Sequence, residues 1–296
     1  MSLPPKYLLP VFFLVLLAGA TILGPILYFG LTFVYPTPFH RAMDRALLIS
    51  AVVALGLAWS RIPLGKLWPR NGDAWKDVLL GVFIAAVAAQ AMIAGNLALS
   101  GFTSADLPTR AVFNRILLAL VAAILVPLLE ETVFRGFIQT ELIERIGWLR
   151  GWILAAAIYM LAHLLKIPGD FDQQPVHPWS GVTALGAAFL PLTQGAFFLA
   201  HMGKGLNLFL LGLILGGIFL RAGSLWMNAG LHGGLVFIWL LFNGLTRPVP
   251  QPYVAFFKGD ILSSPLTTVV LVMLGLWLWR FYRHPSVLPE TGENAP

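Results

Sequence analysis

Cysteine is absent from the 296-residue chain. The protein therefore has no disulfide, no thiol nucleophile and no thiolate ligand for a metal ion. Charged residues are also scarce, at 11% of the chain, whereas a soluble domain contains about 25%. Hydrophobic residues, in contrast, make up 58% of the sequence. This imbalance excludes an ordinary soluble protein and predicts a chain that crosses a membrane several times.

The charges that are present give a formal net charge of +6. The Lys and Arg residues are scattered at the ends of apolar segments, where basic residues set membrane topology and contact anionic lipid. We therefore expect membrane lipids as partners and no nucleic acid. The first apolar run, 7–35, is too long for the hydrophobic core of a cleavable signal peptide.

The apolar runs predict an all-α polytopic membrane protein, because backbone polar groups in lipid need hydrogen-bond partners within their own helix. Candidate spans cover about 7–35, 46–60, 78–100, 114–138, 150–167, 205–221, 224–243 and 261–281, which gives about eight transmembrane helices of the length that a bilayer requires. The stretch 181–203 has Pro191 and Gln194 in its middle. We expect an extra amphipathic or re-entrant segment there. The stretch 101–115 is expected to lead into the fourth helix.

Two adjacent acids, Glu130 and Glu131, follow the apolar run 116–129. An acid at the centre of a transmembrane helix costs about 2.5–3.5 kcal/mol on insertion scales, so two neighbouring acids need a structural or chemical reason. Arg135 lies four residues after Glu131, on the same helical face, and can neutralise it. Glu130 is rotated away and stays available for chemistry. The structural alternative is an ion pair that anchors the helix at the membrane interface, with Glu130 exposed to headgroups.

His163 and His232 lie within two further apolar runs. An intramembrane histidine is a functional candidate, although one alone is equally compatible with an interhelical hydrogen bond. Two histidines and two acids, distributed over three predicted helices, indicate a polar site. His201 is a third candidate, and we expect it at the membrane interface. Asn228 lies four residues before His232 and shares its helical face, which makes it a candidate accessory amide.

These groups permit hydrolysis. Glu130 in an apolar pocket can act as general base on water. One histidine can orient that water or carry its proton, and a second histidine with an amide can donate hydrogen bonds to a developing oxyanion. The competing chemistry is a zinc site formed by Glu130, His163 and His232. No His-Glu-x-x-His pair supports that alternative, so no cofactor is firmly indicated and zinc stays open.

The motifs resemble those of the CAAX-processing and bacteriocin-processing (CPBP, or Abi) family of intramembrane endopeptidases. The matching elements are Glu130-Glu131-x-x-x-Arg135, Tyr159-x-x-x-His163, and Gly223-Ser224-Leu225-Trp226 followed by His232. The resemblance covers about 114–243. Members of this family have been described both as metalloproteases and as metal-independent glutamate proteases.

The resemblance implies a role for each motif residue. Glu130 would activate water together with His163, Glu131 and Arg135 would support the site, and His232 would contribute to the oxyanion hole. One departure matters: the family pattern places Asn at position 236, and this chain has Val236. Asn228 or Asn243 would then have to supply the missing amide.

We therefore predict an intramembrane endopeptidase that hydrolyses a peptide bond in a membrane-associated protein or peptide. A non-catalytic scaffold or chaperone of the same fold is the first alternative, which the departure at Val236 suggests. A proton-coupled transporter is the second, and the absence of an internal repeat disfavours it.

The domain prediction is one membrane domain over 1–283, with a catalytic core at about 114–243. The polar tail 284–296 is expected to be disordered. Basic residues favour one face of the predicted topology modestly. We therefore expect a multi-pass protein of the bacterial cell membrane with both termini in the cytoplasm.

Overall fold

The computed structural model describes residues 5–58, 62, 64–70, 72–99, 101–173, 175–249, 252 and 260–281. The predicted tail 284–296 lies outside the described residues. In the described part, six helices are long and apolar enough to cross a membrane: Tyr7–Thr32, Ala74–Ala98, Thr109–Ile146, Trp148–Asp172, Gly195–Ala222 and Trp226–Leu245. The prediction of an all-α, integral membrane protein is confirmed.

The α-helices are numbered in chain order. They are α1 (Pro5–Thr32), α2 (Phe39–Leu57), α3 (Leu64–Leu67), α4 (Ala74–Ala98), α5 (Thr109–Glu131), α6 (Thr140–Ile146), α7 (Trp148–Leu164), α8 (Ser180–Phe189), α9 (Gly195–Ala222), α10 (Trp226–Leu245) and α11 (Pro265–Phe281). A π-helix, Thr132–Gln139, connects α5 to α6 within one continuous helix. Short 3-10 helices cover Gly169–Gln173, Leu190–Thr193 and Ile261–Ser263.

Within the described residues, two of the predicted spans do not form helices that are long and apolar enough to cross a membrane. The one at 46–60 corresponds to α2, which is not among the six long apolar helices and carries Arg41, Asp44 and Arg45 near its start. The one at 261–281 corresponds to α11, a shorter apolar helix. The prediction of about eight spans is therefore approximate.

The ambiguous stretch 181–203 does not form one helix. Helix α8 ends at Phe189, a 3-10 turn that contains Pro191 follows, and α9 begins at Gly195. Proline has no N–H to continue an α-helical ladder, which accounts for the break. Helix α9 is 28 residues long and includes the span predicted at 205–221.

The chain forms two compact units. The first contains Met1–Pro63 and Leu161–Ala200, and the second contains Leu64–Met160 and His201–Pro296. In the first unit, α1, α2 and α8 bury a core that includes Ala20, Phe39, Met43 and Ala184. The prediction of a single domain over 1–283 stays a prediction.

In the second unit, α4 and α10 pack with their backbones close together. A Cβ atom on Gly81 would lie 2.4 Å from the Met227 carbonyl oxygen, and one on Gly230 would lie 2.2 Å from the Val78 carbonyl oxygen. Glycine at membrane helix interfaces permits this approach, which strengthens van der Waals packing. The position of α10, and of the histidine it carries, therefore depends on these two glycines.

Helix α5 approaches α10 in a similar way. Pro127 lies inside α5 and has no N–H to donate to the carbonyl of Ala123. A Cβ atom on Gly233 would lie 2.4 Å from that same carbonyl oxygen. Since only a glycine leaves room there, the freed carbonyl of α5 and the backbone of α10 meet directly next to His232.

A small antiparallel ladder was not predicted. Strand β1 (Phe102–Ser104) pairs with β2 (Thr246–Pro248), so part of the stretch 101–115 is extended rather than a simple lead-in to the next helix. The Arg115 guanidinium also donates a hydrogen bond to the carbonyl of Gly244. The ladder and this bond connect the start of α5 to the end of α10.

Substituting Gly81 or Gly230 by alanine should destabilise the protein. Overpacking costs typically about 1–3 kcal/mol, and here the new methyl group would meet backbone atoms rather than a movable side chain. The measurement is the melting temperature of the detergent-solubilised protein. Gly56→Ala in α2 is the control, because a Cβ atom there meets nothing within 4 Å. Equal melting temperatures for all three variants would contradict the packing argument.

Candidate active site

The site is built around the π-helix that follows α5. A π-helix closes i→i+5 hydrogen bonds and often occurs at functional sites, where it re-aims side chains. Here it begins directly after Glu131 and turns both Arg135 and Gln139 into the protein, where each is at most 2% exposed. The hydroxyl of Thr140, which directly follows the π-helix, donates to the Arg135 carbonyl within it at 3.0 Å.

Glu131 is completely buried, and both of its carboxylate oxygens accept hydrogen bonds. Arg135 Nη1 donates to Oε1 over 3.2 Å, so the pairing expected from the sequence is present. His232 Nδ1 lies 2.8 Å from the same oxygen. Asn228 Nδ2 donates to Oε2 over 3.0 Å. The charge of Glu131 is thus compensated by a cation and two polar groups, as a buried carboxylate requires.

His232 lies between the two acids. Its Nδ1 faces Glu131, while its Nε2 is 3.8 Å from Oε2 of Glu130. An ionised carboxylate only accepts hydrogen bonds, so the proton of the short contact belongs to Nδ1. The distance on the other side is too long for a direct hydrogen bond. His232 therefore has a fixed orientation, with Nε2 directed towards Glu130.

Glu130 has a different environment from its neighbour. Its side chain is 26% exposed, whereas that of Glu131 is fully buried. The two carboxylates lie on different faces of the helix, and the ion pair of Glu131 with Arg135 does not include Glu130. The arrangement gives one buried, positioned acid and one partly exposed acid beside the same histidine, and the Glu130 oxygen that faces His232 is itself buried.

The backbone of α9 supports the site from behind. Four side chains from other elements donate hydrogen bonds to carbonyl oxygens in the glycine-rich stretch 212–216. These bonds join Arg135 to Gly212 (3.5 Å), Trp152 to Leu213 (3.0 Å), Asn228 to Leu215 (2.8 Å) and Gln139 to Gly216 (3.1 Å). We call these acceptors the α9 carbonyl row. Side chains on three elements are thereby positioned by one rigid helix.

The aromatic ring of Tyr159 packs against the guanidinium of Arg135. The guanidinium carbon lies 4.5 Å from the centre of the Tyr159 ring, which is a favourable cation–π distance. Phe134 packs against Tyr159 edge to face, with ring centres 5.1 Å apart. In the sequence, Tyr159 was only the aromatic partner of the His163 motif. The structure shows that it contacts the acid–arginine motif.

A short segment that no sequence motif marks packs beside Glu131 and Arg135. Trp68 Nε1 donates to the Thr132 hydroxyl over 3.2 Å, and Trp226 Nε1 donates to the Pro69 carbonyl over 2.9 Å. Leu67 is buried against Gly136, where a Cβ atom would lie 2.6 Å from its side chain. We call α3 with Trp68 and Pro69 the tryptophan clasp. Its only sequence signal is an apolar and aromatic cluster in a basic loop.

The other candidate residues lie elsewhere. His163 is in the last turn of α7 and belongs to the first unit, so its predicted cooperation with Glu130 stays a prediction. His201 lies near the start of α9 and is partly exposed. Asn243 is exposed, whereas Asn228 is buried on Glu131. Of the two amides, Asn228 is therefore the one that supports Glu131.

The second unit alone does not supply the ligands that the zinc alternative needs. Among its described residues, no three His, Asp or Glu side chains form a group suited to holding a metal ion. A site of Glu130, His163 and His232 would draw on both units and stays a prediction.

Residues 112–238 match the model of the Rce1-like type II CAAX prenyl endopeptidase family. The match contains Glu130, Glu131, Arg135, Asn228 and His232, and it confirms the resemblance that the motifs indicated. At the family level, it supports a membrane-embedded peptidase. No curated protein and no solved structure matches the chain.

Substituting Arg135 alone should destabilise the protein more than substituting both members of its ion pair with Glu131. Breaking a buried pair on one side typically costs about 3–5 kcal/mol, because the remaining charge is uncompensated. We expect Arg135→Met to lower the melting temperature strongly, and the double variant Glu131→Gln, Arg135→Met to recover part of the loss. The reference is Arg145→Met, which breaks a partly exposed pair with Glu141. A double variant less stable than Arg135→Met would contradict the compensation of Glu131 by Arg135.

Proposed function

From the family match over the segment that carries the site, we propose that this protein is an intramembrane endopeptidase. It would hydrolyse a peptide bond in a membrane-associated protein or peptide. The observation that supports this most strongly is the contact of one histidine with two acids: Nδ1 of His232 on Glu131 and Nε2 3.8 Å from Glu130. A positioned histidine next to a partly buried carboxylate is an arrangement that activates water.

In the proposed reaction, Glu130 removes a proton from a water molecule that lies between it and His232. The water oxygen attacks the carbonyl carbon of the scissile bond and forms a tetrahedral intermediate. The carbon–nitrogen bond then breaks, and the proton taken from water reaches the leaving amine by way of Glu130 and Nε2 of His232. The products are a new carboxylate and a new amino terminus, so no further reactant is needed.

His232 has two roles that depend on its protonation. While it is neutral, its Nδ1–H is donated to Glu131 and its Nε2 accepts a hydrogen bond from water. Glu130 then passes the proton taken from water to Nε2, and the protonated Nε2 donates to the negative oxygen of the intermediate, as the oxyanion role expected from the resemblance requires. Glu131 then faces an imidazolium, which its carboxylate stabilises in a largely buried site.

Two residues of the site are positioning residues rather than reacting groups. Arg135 holds Glu131 and donates to the α9 carbonyl row. Asn228 donates to the second oxygen of Glu131 and to the Leu215 carbonyl, so it supports Glu131 and is not the oxyanion amide that Val236 lacks. His163 is proposed as a further partner for the water on the basis of the family resemblance.

Zinc remains compatible with the donor chemistry. Histidines that bind metals commonly donate their other nitrogen to a carboxylate, and His232 makes such a contact with Glu131. The ligands would be Glu130, His163 and His232, and zinc would polarise the scissile carbonyl and activate water. Cleavage with and without a chelator distinguishes the two versions of the proposal.

The name of the matching family suggests the substrate to test first: a peptide that ends in a prenylated CAAX-type sequence. We further propose that the protein resides in a bacterial cell membrane, with both termini in the cytoplasm. The unprenylated form of the same peptide tests whether the lipid is required.

Glu130→Gln should abolish cleavage while the protein stays folded. Loss of a general base typically lowers the rate by about 10²–10⁴-fold, and Glu130 contributes nothing to the buried ion pair. The measurement is release of the C-terminal fragment, followed by mass spectrometry in proteoliposomes. Glu144→Gln, an exposed acid on α6, is the matched control and should cleave normally.

A fully active Glu130→Gln protein would refute the proposed mechanism. If neither the wild-type chain nor Glu144→Gln cleaves any peptide, while partner proteins still bind both, the scaffold alternative replaces the enzyme.

His232→Gln should lower kcat by about 10²–10³-fold, the usual effect of removing one oxyanion donor. The glutamine amide can still donate to Glu131, so the melting temperature and KM should change little. His201→Gln is the matched control, because it removes an imidazole from a partly exposed position near the start of α9. Equal kcat values for both histidine variants would show that His232 does not act on the reacting atoms.

A further inference from the structure

A groove lies between α9 and α11, with one contribution from α7. Its volume is about 270 Å³, and its lining is almost entirely apolar. From α9 it is lined by Leu210, Leu213, Ile214, Gly217, Ile218 and Arg221, and from α11 by residues between Leu271 and Trp279. We call it the α9–α11 groove.

The groove uses a different face of α9 from the candidate active site. Its α9 residues recur every three or four positions, which places them on one face. Of the carbonyl row, the groove shares only Leu213, and it contains none of Glu130, Glu131 or His232. The groove is therefore a separate feature that the proposed peptidase reaction does not use.

Arg221 is the one charged residue among those that line the groove, and it lies in the last turn of α9. Its guanidinium carbon is 4.1 Å from the centre of the Trp279 ring. Trp279 in turn stacks on Trp152 at an interplanar angle of 10°. Tryptophans of membrane proteins concentrate at the level of the lipid headgroups. We therefore infer that the end of the groove that contains Arg221 lies at the membrane surface.

We propose that the α9–α11 groove binds an anionic glycerophospholipid. One acyl chain lies along the apolar part, and the phosphate is bound by Arg221. From Leu210 to Arg221 the helix rises about 16 Å, a length suited to a large part of an acyl chain. Arginine binds phosphate oxygens in a bidentate manner, and its stacking on Trp279 holds the guanidinium plane in place.

Two glycines keep the groove open. Gly275 faces Ile214 across it, and a Cβ atom there would lie 3.5 Å from that side chain. Gly217 lines the groove near its cationic end, where a Cβ atom would lie 3.4 Å from Trp152. A large side chain at Gly275 would occupy the volume assigned to the acyl chain.

The test is lipid binding to the full-length protein in detergent, measured by native mass spectrometry with phosphatidylglycerol and phosphatidylcholine. We expect the wild-type chain to bind phosphatidylglycerol in preference. Arg221→Gln should weaken phosphatidylglycerol binding about fivefold, in line with the contribution of one basic residue to anionic lipid binding. Gly275→Phe should weaken binding of both lipids. Arg247→Gln, an exposed arginine on β2, is the control and should bind like the wild type.

Three results would overturn the proposal. Equal affinity of the wild-type chain for both lipids would remove the role of the anionic headgroup. Unchanged binding in Arg221→Gln would place the phosphate elsewhere, and an equal loss in Arg247→Gln would show attraction to surface charge alone. If Gly275→Phe does not give folded protein, the comparison of the two arginine variants still decides. Peptide cleavage is not the readout, so failure here leaves the proposed function untouched.

Discussion

The buried carboxylate of Glu131 is the constraint on which the arrangement of the second unit depends. A charge removed from water is strongly destabilising unless it is paired and hydrogen-bonded. Arg135 supplies the opposite charge, and His232 and Asn228 supply two further contacts. These partners come from α10 and from the π-helix, so satisfying one carboxylate fixes the relation between two elements. The close backbone contacts of α10 with α4 and α5 also hold His232 and Asn228 in position beside Glu131.

The two neighbouring acids acquire different roles from their surroundings. Glu131 is held by three partners and cannot turn towards a substrate without leaving Arg135 uncompensated. Glu130, one residue earlier, is partly exposed and faces the nitrogen of His232 that Glu131 does not occupy. A pair of carboxylates in unlike environments is a recurrent way to separate a reacting acid from a supporting one. Helix α9 contributes twice, with its carbonyl row behind the site and its groove-lining face towards α11.

Local relations could be predicted from the sequence. The spacing of Glu131 and Arg135 gave their pairing, the shared face of Asn228 and His232 followed from the same periodicity, and the apolar runs gave the membrane fold. The π-helix could not be predicted, because the run before it is apolar on nearly every face and has no periodic pattern in which a shift could be seen. The 28-residue length of α9 was missed because Lys204 interrupts its apolar pattern. Lys204 forms an ion pair with Asp260, 56 residues away.

Contacts between segments that are far apart in the chain could not be predicted from the sequence either. The tryptophan clasp joins residues 64 and 157 positions apart, and the β1–β2 ladder pairs strands of three residues each. Neither length nor composition marks such short elements. The role assigned to His163 rests on the family resemblance, and its relation to Glu130 stays a prediction.

The central claim is that Glu130 and His232 act together on one scissile bond while Glu131 holds the histidine. The most direct measurement is an experimental structure of the full-length protein in a lipid nanodisc with a bound, uncleavable peptide analogue. The account predicts the analogue's scissile carbonyl between Glu130 and Nε2 of His232, with Nδ1 still on Glu131. An analogue bound elsewhere, or a Glu130 side chain turned to the headgroups with His232 released from Glu131, would contradict it.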